Sequence, residues 1–103
     1  MSVLLEFAMF PTDQGISVSP FVSRIIKLID DSGHAYQLTP MGTIVETATI
    51  REALDLVENA YGCLEPDCDR VYSTLTFDIR KGEMGRMSQK VKSIESKIGK
   101  VRT

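Results

Sequence analysis

The sequence is poor in the side chains on which most catalytic and metal centres depend. Its 103 residues include no tryptophan, one histidine and two cysteines. Nucleophilic catalysis requires a nucleophile beside a base, and neither adjoins the lone His34. A zinc site requires about four Cys, His or carboxylate ligands, more than Cys63 and Cys68 supply. We therefore expect no catalytic residue and no metal site, and two free thiols, since disulfides are rare in a reducing compartment.

A surplus of one charge and a long apolar run are also lacking. The formal net charge is -2, and acids and bases are interspersed except in a basic C-terminal stretch, so we expect no nucleic-acid partner. The apolar N-terminal run is interrupted by Glu6 and has no basic residue before it, which predicts neither a signal peptide nor a membrane span. With 43% hydrophobic residues, residues 1–103 are expected to form one domain in the cytoplasm.

Two stretches alternate in polarity with the period of a β-strand. Residues 3–10 and residues 70–80 each place apolar side chains at every second position. This spacing predicts a first strand and a last strand.

The stretch YQLTPMGTIVE, residues 36–46, predicts two further strands joined by a tight turn. Pro40, Met41 and Gly42 are expected to form a three-residue loop that ends in a left-handed glycine. The opposite pairs expected in that register are Thr39 with Thr43, Leu38 with Ile44, and Gln37 with Val45.

Three other stretches repeat apolar residues at helical spacing. The first helix is expected over residues 20–32, with Ser19 as its N-cap. A capping box of Thr49 and Glu52 predicts the start of the second helix. The third is expected to be capped by Ser88.

The order strand, helix, strand, strand, helix, strand, helix predicts an α+β protein. Its compact solution is the ferredoxin-like βαββαβ sandwich, a four-stranded antiparallel sheet with both main helices on one face, here with an additional C-terminal helix. The other face is left open, and it must meet water, another subunit or a ligand. The residues expected on the open face are Leu4, Glu6, Ala8, Gln37, Thr39, Thr43, Val45, Tyr72, Thr74, Thr76 and Asp78.

Five stretches carry a resemblance that extends over nearly the whole chain: EFAMFP, SVSPFV, YQLTPMGTIVE, RVYSTLTFDIR and KVKSIESKI. Together they resemble the small thiamine-binding proteins of the YkoF-like group, and LTPMGT before an amphipathic helix is the most specific part. The resemblance implies a ferredoxin-like fold and association through the sheets into dimers or tetramers. It also implies a protein that binds thiamine, or its hydroxymethylpyrimidine part, without transforming it.

The chemistry of that ligand selects candidate binding residues. An aminopyrimidine presents donors and acceptors along one edge, while a thiazolium cation favours carboxylates and aromatic faces. Glu6 is an acid within an apolar strand, so it needs a partner if it is desolvated. Ser17 and Ser19 adjoin the free amides of the first helix, where ordinary capping is the alternative role. The full candidate set is Glu6, Ser17, Ser19, Thr39, Met41, Gly42, Thr43, Thr76 and Asp78.

A second interpretation stays open. A polar sheet face is also typical of a wet subunit interface, so the chain is alternatively an oligomeric regulatory or interaction module that uses the open face for assembly only. The presence of a pocket distinguishes the two interpretations.

Overall fold

Four strands and three helices follow one another along the chain, and the computed structural model describes all of residues 1–103. The elements are β1 (Ser2–Pro11), α1 (Ser19–Ser32), β2 (Ala35–Thr39), β3 (Gly42–Thr47), α2 (Ile50–Gly62), β4 (Val71–Arg80) and α3 (Arg86–Ile98). All strand pairs are antiparallel and the strand order is β2-β3-β1-β4. The expected ferredoxin-like sandwich with one additional C-terminal helix is confirmed.

The core lies between α1, α2 and one face of the sheet, called the helix face below. Alternate side chains of β1, a central strand, point into it and are almost fully buried, as the period of the strand predicts. The buried cluster comprises Val3, Leu5, Phe7, Met9, Ile25, Ile29, Val45, Ala53, Leu56, Ala60, Leu64 and Cys68.

The hairpin between β2 and β3 differs from its expected register by one residue. Thr39 lies opposite Gly42, and Leu38 lies opposite Thr43, so the loop is only Pro40 and Met41. The expected left-handed glycine is wrong, since Gly42 belongs to β3 and has no positive φ. The physical reason is the Thr39 hydroxyl, which accepts the Met41 and Gly42 amides at 3.3 and 3.1 Å and donates to the Gly42 carbonyl at 2.8 Å.

The shift of one residue exchanges the two faces of β3. Thr43 lies opposite Phe7, and Val45 lies opposite Leu5, so both side chains belong to the helix face and both are buried. Their expected place on the open face was wrong. The residues of β3 on the open face are Gly42, Ile44 and Glu46.

Only one of the three expected helix caps is formed. The Thr49 hydroxyl accepts the Glu52 amide at 3.1 Å, and the Glu52 carboxylate accepts the Ala48 amide at 3.1 Å, so the capping box of α2 is confirmed. The Ser19 cap is wrong, because Ser19 lies inside α1 and no side chain caps that helix. The Ser88 cap is also wrong, because α3 begins two residues earlier, after Gly85, and a glutamate from β3 takes the amides there.

α3 covers one end of the open face. It follows β4 and begins beside Ser2 of β1, where Arg86 donates to both the Ser2 hydroxyl and the Ser2 carbonyl at 2.9 Å. No residue of α3 is itself buried, and Ile98 near its end is 74% exposed. None of the three helices is long and apolar enough to cross a bilayer.

Candidate functional site

A cleft of about 220 Å³ opens between the tip of the β2-β3 hairpin, the start of α1 and the C-terminal end of β1. Its walls are apolar because α1 presents an apolar helical stripe to the cleft and β1 presents the apolar residues near its C-terminal end. The lining residues are Phe7, Ala8, Met9, Phe10, Val18, Val22, Ile25, Ile26, Leu38, Thr39, Pro40, Met41, Gly42 and Thr43.

The cleft exists because β1 is longer than its partner β3. β1 pairs with β4 along its whole length, as far as Pro11, but its pairing with β3 ends at Phe7. Past Phe7, the side of β1 that would meet a longer β3 borders the cleft instead. Gly42 completes this border by close approach, since a Cβ at this position would lie 3.0 Å from the Phe7 carbonyl oxygen.

The backbone of Met9 is unpaired on that side. The Thr12 amide donates to the Arg70 carbonyl at 2.9 Å, and the direction of backbone hydrogen bonds alternates along a strand. Ala8 therefore directs its N–H and C=O toward β4, whereas Met9 directs its own toward the cleft. None of the hydrogen bonds outside the regular ladders involves Met9, so a donor and an acceptor of one residue face the cleft together.

Two threonines supply the hydroxyl groups of the cleft, and they differ in availability. The Thr39 hydroxyl is occupied by the hairpin through its three hydrogen bonds. Thr43 is 5% exposed, and its hydroxyl forms no hydrogen bond within the chain. Every side-chain polar atom that is sealed from solvent has a hydrogen-bond partner. The free hydroxyl of Thr43 is therefore open to the cleft.

No ionisable side chain lines the cleft. An apolar wall with a few polar groups along one border is the usual composition of a small-molecule site. Such a site favours a flat, uncharged ring with a polar edge, because a charged group would lose its hydration without gaining a counter-charge. No group of three or more His, Cys, Asp or Glu side chains is arranged to hold a metal, and both cysteines are free.

The nine candidate residues do not form one site. Thr39, Met41, Gly42 and Thr43 line the cleft. Ser17 and Ser19 are exposed on either side of the lining residue Val18, at the entrance of α1. The other three, Glu6, Thr76 and Asp78, lie on the open face, on the opposite side of the sheet.

On the open face, Glu6 lies opposite Thr76 in the ladder and has no ionic partner. Aromatic side chains lie near the end of the same face, where the rings of Phe10 and Tyr72 are 5.8 Å apart. Asp78 is committed to Arg86 by an ion pair of 3.0 Å. The face is thus polar at its centre and apolar at one end.

A buried network at the start of α3 was missed by sequence reasoning. Glu46 is 2% exposed, and its carboxylate accepts the Ser2 hydroxyl at 2.5 Å and the Gly85 and Arg86 amides at 3.0 and 3.3 Å. Arg86 in turn bonds both Ser2 and Asp78. The available signal was an acid at the end of an otherwise apolar strand, but only the fold shows which donors meet it.

Burial by itself raises the pKa of Glu46. The hydrogen bonds from Ser2, Arg86 and Gly85, and the charge of Arg86, outweigh that effect, so the pKa lies below its usual value. An anion at the positive end of a helix is also favoured by the helix dipole. Glu46 therefore fixes α3 to the sheet as a carboxylate, and the network is structural.

Comparison with known proteins places this geometry in a family. The thiamine-binding protein family matches residues 5–95. A UPF0045 protein of Mycobacterium bovis is 33% identical over 95 residues, which cover 92% of this chain and 93% of that protein. A UPF0045 protein of Methanocaldococcus jannaschii is 30% identical over 92 residues, which cover 89% of this chain and 91% of that protein.

Solved structures share the fold. A crystal structure of the M. jannaschii protein superimposes with a TM-score of 0.79 at 30% identity, covering 90% of this chain and 95% of that one. A Thermotoga maritima protein described as a candidate thiamine biosynthesis/salvage protein has a TM-score of 0.77 at 23% identity, covering 91% and 99% of the two chains. The chain is thus a small α+β protein with the fold of these structures. It belongs to the thiamine-binding protein family.

Proposed function

We propose that the cleft binds the pyrimidine ring of thiamine, or free hydroxymethylpyrimidine, and that the protein holds this ligand in the cytoplasm without transforming it. The observation that carries the proposal is the unpaired Met9 backbone beside the free Thr43 hydroxyl, in an otherwise apolar and uncharged cleft. The membership in a thiamine-binding family supports the same ligand class.

The polar edge of the ring matches these groups. An aminopyrimidine carries a ring nitrogen acceptor next to an amino donor, and the N–H and C=O of one extended residue offer the complementary pair. The Thr43 hydroxyl both donates and accepts, so it suits a second ring nitrogen. The ring faces would contact side chains such as Val22 and Met41, since thioethers and aliphatic groups pack well on aromatic rings.

The size of the cleft favours one ring rather than the whole of thiamine. Its volume of about 220 Å³ is below the roughly 300–1,000 Å³ typical of pockets for drug-sized ligands. The cationic thiazolium would therefore lie outside the cleft. A binding role without catalysis is proposed because no base or ionised group lines the cleft to activate its threonine hydroxyls.

Calorimetry with hydroxymethylpyrimidine and thiamine tests this assignment through Thr43→Val, which removes the hydroxyl and keeps the shape. Loss of one neutral hydrogen bond is worth roughly 0.5–1.5 kcal/mol, so the affinity should fall about two- to tenfold for both ligands. The matched control is Thr76→Val on the open face, which should bind as the parent does. If neither compound binds the parent at millimolar concentration, or if both variants bind equally well, the cleft is not the site.

Glu6 and Asp78 retain a ligand role only where a ligand lies against the open face. Glu6→Gln and Asp78→Asn remove the charge and keep the shape, so a contact with the thiazolium would appear as weaker binding of thiamine but unchanged binding of hydroxymethylpyrimidine. We expect both variants to bind both ligands as the parent does, since the cleft holds no charge.

The second candidate function is assembly through the open face. Its support is the apolar end formed by Phe10 and Tyr72, with the partly buried Ile44 and Leu4 further along the same face. A two-fold pairing of this face would be self-complementary. Thr74→Arg places a charge among these residues and should weaken such an assembly, which light scattering measures.

A further inference from the structure

We propose that the protein has an anion site where α3 meets the end of β4, and that this site binds the phosphate group of a small soluble phosphate ester. The site lies on the open face, whereas the cleft lies on the opposite side of the sheet. It therefore does not depend on the ligand proposed for the cleft. It gives a role to part of the basic C-terminal stretch, which the cleft does not use.

A depression of about 370 Å³ separates one flank of α3 from the open-face side chains at the end of β4. Only one of its seven lining residues is apolar, in contrast to the cleft. The α3 residues among them recur at helical spacing, so they share one flank of the helix. The six polar lining residues are Asp78, Arg80, Arg86, Gln89, Lys90 and Ser93. Lys81 and Glu83 border an adjoining depression, and their charges cancel.

The cations of the depression lack counter-charges, unlike the cations of the first two helices. Every cation on α1 and α2 forms an ion pair with an aspartate; these cations are Arg24, Lys27 and Arg51. Arg80 and Lys90 form no ion pair, and Asp78 is already paired with Arg86. Arg86 and Lys90 are also one turn apart, a spacing at which like charges destabilise a helix. In a protein whose net charge is -2, this local excess of positive charge favours a bound anion.

Arg86 presents one donor that is already fixed in place. Its side chain is 10% exposed. Nε donates to the Ser2 hydroxyl at 2.9 Å, and Nη1 donates to the Asp78 carboxylate at 3.0 Å. Nη2 donates to the Ser2 and Asp78 carbonyls at 2.9 and 2.6 Å. A guanidinium has five N–H groups, so one N–H of Nη1 is left over on a residue that lines the depression. A donor held in this way loses little conformational entropy when a ligand binds.

A phosphate monoester matches these groups in charge and in shape. It carries nearly two negative charges at neutral pH and three strong acceptor oxygens. The planar guanidinium of Arg80 can bind two of those oxygens side by side, and Lys90 adds a compact charge. Gln89 and Ser93 supply neutral donors. The backbone amides at the start of α3 take no part, because Glu46 accepts them.

The acids around the site favour a small ligand over a polymer or a membrane. Asp78 lines the depression, and Glu83 borders the adjoining one. A polyanion or an anionic bilayer needs an uninterrupted basic surface, and these carboxylates interrupt it. A single phosphate group reaches the cations without contacting a second acid.

Titration of the isotope-labelled protein with glycerol phosphate, followed by NMR, tests the site. We expect saturable shifts of the Arg80, Gln89, Lys90 and Ser93 amides at millimolar ligand, and none with glycerol. Sodium chloride at the same ionic strength should not reproduce them. The proposal is overturned if no saturable shift appears, if chloride gives the same shifts, or if the protein binds only vesicles that contain phosphatidic acid.

Charge-removing variants locate the binding. Arg80 and Lys90 are exposed and form no ion pair, so Arg80→Gln and Lys90→Gln should fold normally. Each should raise the dissociation constant for glycerol phosphate roughly three- to tenfold, between the effect of an exposed ion pair and that of a buried charge-assisted hydrogen bond. The matched control is Lys92→Gln, which removes the same charge from the other flank of α3 and should bind as the parent does. Equal weakening in all three variants would mean that binding reflects net charge alone, and it would contradict the site.

Discussion

The carboxylate of Glu46 fixes α3 to the sheet, so Glu46→Gln should destabilise the protein. Glutamine keeps the shape, but it presents an amino group to one of the three donors that now meet the carboxylate, from Ser2, Gly85 and Arg86. Hydrogen bonds to charged groups contribute roughly 1.5–3 kcal/mol each. We expect a loss of about 2–3 kcal/mol, a large share of the roughly 5–15 kcal/mol typical of a domain.

Thermal unfolding followed by circular dichroism measures this loss at neutral pH. For a chain of this size, 1 kcal/mol corresponds to a change in Tm of roughly 4–8 °C, so Tm should fall by about 10–20 °C. Glu58→Gln is the matched control, because Glu58 is an exposed residue of α2 without a hydrogen-bond partner for its side chain. If Glu46→Gln lowers Tm no more than Glu58→Gln does, the network does not hold α3.

The same variant tests how the stability of the protein depends on pH. The pKa of Glu46 is lower in the folded protein than in the unfolded chain, so its contribution to stability is complete above the unfolded pKa of about 4.3. The contribution is lost as the pH falls through the folded pKa, because the unfolded chain then binds the additional proton first. The stability difference between parent and Glu46→Gln should be constant near neutrality and should shrink below about pH 4.3. A difference that grows on acidification would refute the sign of the shift.

Two further predictions concern packing and reactivity. Gly42→Ala brings a Cβ within 3.0 Å of the Phe7 carbonyl oxygen, so we expect the free energy of unfolding to fall by about 1–3 kcal/mol and the ligand to bind more weakly. The control Gly62→Ala lies in open space on α2 and should stabilise the protein by about 0.5–1 kcal/mol. Equal effects of the two variants in urea unfolding would contradict this. Burial, and then nearby aspartates, raise the pKa of Cys68, so it should react with Ellman's reagent more slowly than the less buried Cys63, and equal rates would contradict that assignment.

The elements of the fold follow from periodicity because each one buries a single face. Strands expected over residues 3–10 and 70–80 occur as Ser2–Pro11 and Val71–Arg80, and the helix expected over 20–32 occurs as Ser19–Ser32. In each case the alternation or helical spacing of apolar residues sets which side meets the core, and that preference is summed over many residues. Errors in the bounds are therefore small.

The hairpin register depends instead on a few local bonds. A loop of two residues and a loop of three residues both accept Pro40 at the first position, so composition does not distinguish them. The Thr39 hydroxyl decides the matter by closing the turn at Gly42. The shift of one residue moves Thr43 from the open face to the helix face. The candidate site moves to the helix face with it.

Two of the three helix caps were predicted wrongly for a related reason. Ser19 and Ser88 have the chemistry of caps, but the amides at the start of α3 are satisfied by Glu46, which is 40 residues away from Arg86 in the sequence. A cap read from neighbouring residues cannot anticipate a distant acceptor. Thr49 was predictable because both members of its capping box are local.

The open face and the cleft share one strand segment. Past Phe7, β1 directs the backbone of Met9 into the cleft, while the next side chain, Phe10, packs with Tyr72 at the apolar end of the open face. The segment keeps its ladder to β4 as far as Pro11, so β4 alone holds it in extended form where β3 has ended. Pairing with β4 therefore steadies the unpaired groups of Met9, because it is the one ladder that this segment keeps. In this arrangement a short β3 leaves the binding groups free, and a long β4 keeps them in place.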